Sequence, residues 1–278
     1  VSFYTQLAKG RRLHDAFEYY NLPDSITQKA PSRQLDLGSV GPGMSWGIYY
    51  QEGAAPKMKQ WSLPIAAGRP LFGLPEISNR YGLPNPPFRY LNRYERQHAP
   101  VFFGREQEIR TLFEALTGRE NNPIVLLCGQ SGVGKSSLLE AGLFPRLETL
   151  CQIYYLRRTA KESLPDAVRR LNPQTTGAGE LPGRDWWQEC KKQTGKPVLV
   201  VLDQVEEMFT RPSSLGAQNE LKAIIDWLGH TFKDTGGKPE GKVLLAFRQD
   251  YYADIVEPFQ DNRLPFSTQF LKPLGKAG

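Results

Sequence analysis

The stretch Gly129-Gln-Ser-Gly-Val-Gly-Lys-Ser136 carries the residue types and spacing that hold the phosphates of a nucleotide. Glycines at 129, 132 and 134 allow backbone conformations closed to other residues, so the N–H groups of Gln130, Ser131, Val133 and their neighbours can turn inward around phosphate oxygens. Lys135 adds a mobile positive charge for the β- and γ-phosphates, and the Ser136 hydroxyl is placed to ligate Mg2+. Ser137 follows in the first turn of the expected helix, whose N-terminus favours an anion.

A second constellation lies downstream. Val198-Leu-Val-Val-Leu-Asp203 is an apolar run ending in a carboxylate, and Asp203 would hold the same Mg2+ beside Ser136, directly or through water. Many hydrolytic ATPases place a Glu directly after this Asp to polarise the attacking water, but here the order is Asp203-Gln-Val-Glu-Glu207. Gln204 cannot act as a base. Glu206 or Glu207 could reach the γ-phosphate if the turn folds back; alternatively the pair charges the segment that follows. Arg248, at the end of Val243-Leu-Leu-Ala-Phe247, would sit beside the γ-phosphate as a sensor, or would pair with Asp250.

These residues need a sheet to bring them together. The apolar runs 124–128, 152–156, 197–202, 242–247 and 267–272 read as strands, and they alternate with helical patterns near 105–117, 135–147, 162–171, 184–193, 217–230 and 250–257. Strands alternating with helices predict an α/β fold: a parallel sheet covered by helices on both faces, with ligands beyond the carboxyl ends of the strands. Ahead of it lie a helical pattern over 1–22, a strand-like Trp46-Gly-Ile-Tyr-Tyr50 and a segment crowded with prolines at 64, 70, 75, 84, 86, 87 and 100. The expected organisation is therefore a smaller α+β segment over 1–61, a Pro-rich linker over 62–100 and a nucleotide-binding core over 101–278.

Composition narrows the function. The chain has 278 residues, 40% of them hydrophobic, and a formal net charge of +6. Residues 1–100 hold 12 Lys+Arg against 7 Asp+Glu, but these charges are scattered and form no aromatic-interleaved stripe, so nucleic acid is not supported as a partner. No apolar run reaches the length of a membrane span, and no N-terminal signal pattern appears, which points to a cytoplasmic protein. Cys128, Cys151 and Cys190 lack metal-ligand spacing and read as packing residues. The chain opens on Val1 and stops at Gly278 without a closing signal, as expected of a piece of a longer polypeptide.

Four ordered segments carry a resemblance: Ala99-Pro-Val-Phe-Phe-Gly-Arg-Glu-Gln-Glu-Ile109, the 124–136 strand and loop, Leu199-Val-Val-Leu-Asp-Gln-Val-Glu-Glu-Met-Phe209, and Leu245-Ala-Phe-Arg-Gln-Asp-Tyr251. Together, over about 88–278, they resemble the STAND class of signal-transduction P-loop ATPases, in particular the bacterial novel STAND NTPase group. The resemblance implies that Phe103, Gly104 and Arg105 pack on adenine and ribose, that Arg248 acts as a sensor, and that the ligands are ATP or ADP with Mg2+. It also implies a helical lid and a winged helix beyond the sheet, with protein partners or self-assembly through regions outside this chain. Phe3-Tyr-Thr-Gln-Leu-Ala-Lys-Gly10, Ala16-Phe17 and Trp46–Tyr50 loosely resemble the end of a caspase-like, CHAT-type domain. The function implied is an ATP-dependent conformational switch with slow hydrolysis; a turnover ATPase or motor, or a scaffold that holds nucleotide without cleaving it, are the alternatives. A GTPase would need an N-K-x-D motif, which the sequence lacks.

Overall fold

The computed structural model describes residues 12–15, 74–77, 80–82, 84, 92–118, 122–172, 181–233 and 239–274. The chain divides into two units, Val1–Pro70 and Leu71–Gly278, and every element below belongs to the second. The strand-like 46–50, most of the helical pattern over 1–22 and most of the proline-crowded stretch lie outside the described residues.

Five strands form one parallel sheet: β1 (Ile124–Gly129), β2 (Gln152–Arg157), β3 (Val198–Asp203), β4 (Gly241–Arg248) and β5 (Phe266–Leu271), in the spatial order β2-β3-β4-β1-β5. β1 and β3 are buried along their whole length, which explains why their sequences run apolar without alternation: each face of the sheet meets helices. Side-chain alternation then sorts the residues into two cores. Ile124, Leu126, Val198, Val200, Val243 and Leu245 point to one face, and Val125, Leu127, Leu199, Val201, Leu244 and Ala246 to the other.

The first face is covered by α2 (Leu164–Arg169), α3 (Arg184–Thr194), α5 (Ala217–Phe232) and α6 (Tyr252–Asp261). Trp187 lies at its centre, stacked on Trp227 and edge-on to Trp186 and Phe232. The second face is covered by α1 (Glu106–Thr117), through Ile109, Leu112 and Leu116, and by the helical stretch that follows the phosphate loop. That stretch was expected as one α-helix over 135–147. It opens as α-helix at Lys135–Ser137, is π-wound over Leu138–Leu143 and closes as α-helix at Phe144–Leu147. The π-wound residues are all buried, and a side chain at Gly142 would meet Ile109 at 2.9 Å and Phe102 at 3.1 Å. Helix α1 therefore packs against bare backbone here.

A second difference concerns the prolines. Crowded prolines were expected to disfavour regular structure, yet Arg96–Val101 is a 3-10 helix containing Pro100. Its end bonds run from His98 N–H to Glu95 and from Phe102 N–H to Ala99, on either side of the missing Pro100 N–H. A further short helix, α4 (Glu207–Thr210), lies where no element was expected. The three cysteines are free and buried, and burial pushes the Cys128 thiol up to about 11, which leaves it unreactive at neutral pH. Among the described residues, no helix is long and apolar enough to cross a membrane.

One fully buried ion pair ties the sheet to the loops at its carboxyl end. Arg158 Nε donates to Glu220 Oε1 at 2.7 Å and its Nη2 to Glu220 Oε2 at 3.1 Å, with both side chains at 0% exposure. The Leu164 N–H and the Ser213 hydroxyl also donate to Glu220, while Arg158 donates to the carbonyls of Thr159 and Arg211. Removing one partner strands the other charge without water. Glu220→Ala is expected to lower stability by about 3–5 kcal/mol, read from urea unfolding; a loss near zero would show that the pair is not buried as described.

Candidate nucleotide site

The site forms where β1, β4 and β3 end side by side. Gly129 is in register with Arg248, and Asp203 with Ala246, so the loop after β1, the end of β4 and the end of β3 share one edge of the sheet. Within the loop, Gly132 (φ 72°) and Gly134 (φ 99°) occupy the left-handed region that side chains disfavour. Gly129 is required for space instead: a Cβ there would lie 2.8 Å from the Leu271 carbonyl oxygen. Val133 packs on the second core, and the helix starts directly after Gly134.

Lys135 Nζ donates to the Gly129 and Gln130 carbonyls, both at 2.9 Å. Burial pulls its pKa down, opposed by the charges of Glu206 and Asp203. The Ser136 hydroxyl donates to Asp203 Oδ2 at 2.8 Å. A hydroxyl and a carboxylate at this spacing, one at a helix start and one at a strand end, are the hard oxygen donors that Mg2+ takes, so the residues present fit the ion. Ser137 turns the other way, its Oγ accepting from the Tyr94 N–H at 3.0 Å.

Beyond Asp203 the backbone makes an unusual turn. Gln204 has φ 59°, a left-handed conformation uncommon for a residue with a side chain. Its N–H donates to Asp203 Oδ1 at 2.9 Å, its side-chain Oε1 accepts from Arg157 Nε at 2.7 Å, and Val205 N–H resumes pairing with Ala246 at 3.1 Å. The turn separates the two glutamates. Glu206 is buried, close enough to Lys135 and Asp203 to feel both charges, and its Oε2 accepts no hydrogen bond within the protein. Glu207 points to Arg211, 3.4 Å away. Desolvation holds the Glu206 carboxyl above its ordinary range, with Asp203 adding to the effect, while Lys135 and the backbone N–H groups of Glu206 and Arg248 oppose it.

Arg248 is paired with Asp250 and lies over the Tyr251 ring. Tyr251 in turn stacks on Phe209 with rings 9° from parallel, which joins the β4 end to α4. Of the residues expected at adenine and ribose, Phe103 is 60% exposed and Gly104 has φ 84°. Arg105 is buried: Nη1 donates to the Lys272 carbonyl at 2.7 Å and to Glu108, and Nη2 to the Val133 carbonyl at 3.0 Å. Its guanidinium thus braces the phosphate loop against the end of β5.

Three site neighbours escaped the sequence reading. Tyr155, on β2, donates from its hydroxyl to Asp203 Oδ2 at 2.6 Å; Arg157 holds Gln204; and Glu140, in the π-wound segment, lies near both Tyr155 and Arg93. The pairing of β2 with β3 reveals Tyr155 and Arg157, and the packing of the π-wound segment over that face reveals Glu140; a strand's neighbour is not written in its own residues.

A family model supplies the identity of this arrangement. Novel STAND NTPase 1 matches residues 87–277, well over half the chain, and that span contains the loop, Asp203, the glutamates and Arg248. The chain belongs to the novel STAND NTPase 1 family. Nucleotide binding by this STAND NTPase follows from membership, as does the P-loop NTPase fold, in agreement with the parallel sheet. None of the curated proteins compared matches it. Among solved structures, the ORC2 protein of Aeropyrum pernix in its ADPNP–ADP complexes is similar, with 15% identity over 60% of this chain and 47% of that one, and a TM-score of 0.42. The casein complex of S. cerevisiae Hsp104 gives 18% identity over 61% of this chain and 27% of that one, and a TM-score of 0.36. The STAND NTPase therefore spans under half the length of either.

The position of Glu206 has a thermodynamic signature. A carboxyl whose pKa is raised by folding contributes stability below its ordinary range and loses it as the pH rises through the raised value. Glu206→Gln removes that loss. The variant is expected to melt higher than the parent chain at pH 8, with the difference closing as the pH falls below 4; equal melting at pH 8 would place Glu206 in water.

Proposed function

We propose that this STAND NTPase is an ATP-dependent conformational switch that hydrolyses slowly, acting in the cytoplasm and passing its state to protein partners or further copies of the chain. The observation that carries this reading is the division of labour after Asp203: the turn at Gln204 sends Glu206 toward Lys135 and Asp203, and Glu207 toward Arg211. Glu206 is then the base.

Each residue has a role in that scheme. The 129–136 loop binds the phosphates through backbone N–H groups, and Lys135 leaves the Gly129 and Gln130 carbonyls to neutralise the β- and γ-oxygens. Ser136 and Asp203 would hold Mg2+, which when bound supplies charge for the leaving phosphate. Glu206 orients water and takes its proton, its carboxylate made more basic by burial. Phe103 offers an exposed ring for adenine, and Gly104 lets backbone approach the ribose.

Slowness has a physical basis in the same residues. Arg248 must leave Asp250 before it can touch a γ-phosphate, and the base sits three positions beyond Asp203 on a separate turn. A nucleotide that persists can bias one arrangement of the protein over another.

Three measurements test the reading. The purified chain is expected to bind ATP and ADP in preference to GTP, and Lys135→Ala to abolish binding in titration calorimetry; equal GTP binding would sink the adenine assignment. Turnover is expected below about 1 per second, the low end of typical enzyme rates, and faster hydrolysis would favour a motor. Glu206→Gln is expected to lose about 100-fold or more in kcat with nucleotide affinity kept, whereas Glu207→Gln stays within about twofold. The reverse pattern would move the base to Glu207.

A further inference from the structure

The switch reading assigns Asp203 to the metal but leaves unexplained what holds the carboxylate in place. Asp203 ends a strand, and its plane is set by whatever donates to it. Oδ1 is fixed by the Gln204 N–H, and Oδ2 receives two hydroxyls, from Ser136 at 2.8 Å and Tyr155 at 2.6 Å. These two donors differ in role. Ser136 can offer an oxygen lone pair to the same cation as Asp203 while its proton stays on Oδ2. Tyr155 comes from β2, outside the ligand pair, and serves Asp203 as a donor alone.

Sheet geometry makes the contact. Tyr155 is in register with Val201, two residues before Asp203 on the same face, and a diagonal neighbour at that offset lies within reach of an aromatic side chain. The ring is not free to swing. It packs edge-on against the buried Phe144, with centroids 5.3 Å apart, and joins the second core. Phe144 is itself covered by the Arg96 guanidinium at 5.0 Å. A phenylalanine would fill the same volume, so the hydroxyl serves the carboxylate and not the packing. The remaining neighbour, Glu140, is a second carboxylate close to the phenol, and Arg93 lies 3.5 Å from its Oε1. That cation offsets the repulsion Glu140 exerts on Asp203.

We propose that Tyr155 is a positioning residue for the metal centre: its hydroxyl orients the Asp203 carboxylate so that both of its oxygens are aligned before a divalent cation binds. The inference rests on the switch reading, because it takes Asp203 as the metal ligand. Outer partners of metal ligands commonly govern affinity by about 10- to 100-fold.

The experiment separates this from packing and from failure of the reading itself. Binding of a fluorescent ATP analogue is measured for the unsubstituted chain and for Tyr155→Phe, once with Mg2+ and once with EDTA, and Mn2+ affinity is read by electron paramagnetic resonance with ATP present. Tyr155→Phe is expected to weaken Mn2+ binding by about 10- to 100-fold and to erase most of the Mg2+-dependent gain in nucleotide affinity, while affinity in EDTA stays within about twofold. Unchanged Mn2+ affinity in a variant that still binds nucleotide would overturn the proposal and leave the switch reading intact. So would an equal loss in Mg2+ and EDTA, which marks a damaged loop. If the unsubstituted chain gains nothing from Mg2+, the assignment of Asp203 falls first, and the role of Tyr155 with it.

Discussion

The site depends on one backbone conformation, the left-handed turn at Gln204. A strand that ended conventionally after Asp203 would carry its next carboxylates away along the sheet edge. By taking φ 59°, Gln204 lets Val205 rejoin β4 through Ala246 while Asp203 and Glu206 converge on Lys135. Such a conformation is costly for a residue with a side chain and persists only where its surroundings over-determine it. Here they do: Arg157 holds the Gln204 amide, the Asp203 carboxylate holds its N–H, and the buried Arg158–Glu220 pair grips the Arg211 carbonyl on the far side of α4.

This gives Gln204 a meaning that its chemistry alone conceals. As a residue type it is the wrong one for a base, and that observation still limits the expected rate. As a backbone position it is what sorts Glu206 from Glu207, two adjacent carboxylates that the sequence cannot tell apart. Their separation follows from burial. Glu206 enters a desolvated pocket shared with Lys135, whereas Glu207 faces outward to Arg211.

The fold was largely legible because its signals are local. An apolar run covered on both faces has a recognisable composition, and the strands at 124–129, 198–203 and 241–248 appear within a residue or so of where the runs predicted them. The phosphate loop was legible for the same reason, since its glycines answer to dihedral angles fixed within the loop. What stayed hidden depends on partners distant in sequence. Tyr155 reads as an ordinary strand tyrosine until β2 is placed beside β3, and Arg105 reads as a ligand-facing cation until the Lys272 carbonyl is found against it. The 3-10 turn at 96–101 was missed because proline was weighed as a breaker, whereas Pro100 sits inside this short helix.

The π-wound segment Leu138–Leu143 bears on how this helix can change over evolutionary time. A π turn holds one residue more than the α turn it replaces, so it amounts to a one-residue insertion absorbed without breaking the helix. Each α-helical residue advances the side-chain direction by about 100°, and the wider turn takes up that extra step locally, so the residues beyond it keep the directions of a regular helix one residue shorter. Phe144, just past the wide turn, meets the Tyr155 ring, and Gly142, within it, lies against Ile109. Loss of one residue within this stretch would therefore leave the packing beyond it in place, whereas the same loss in a regular part of the helix would turn every later side chain away from its partner.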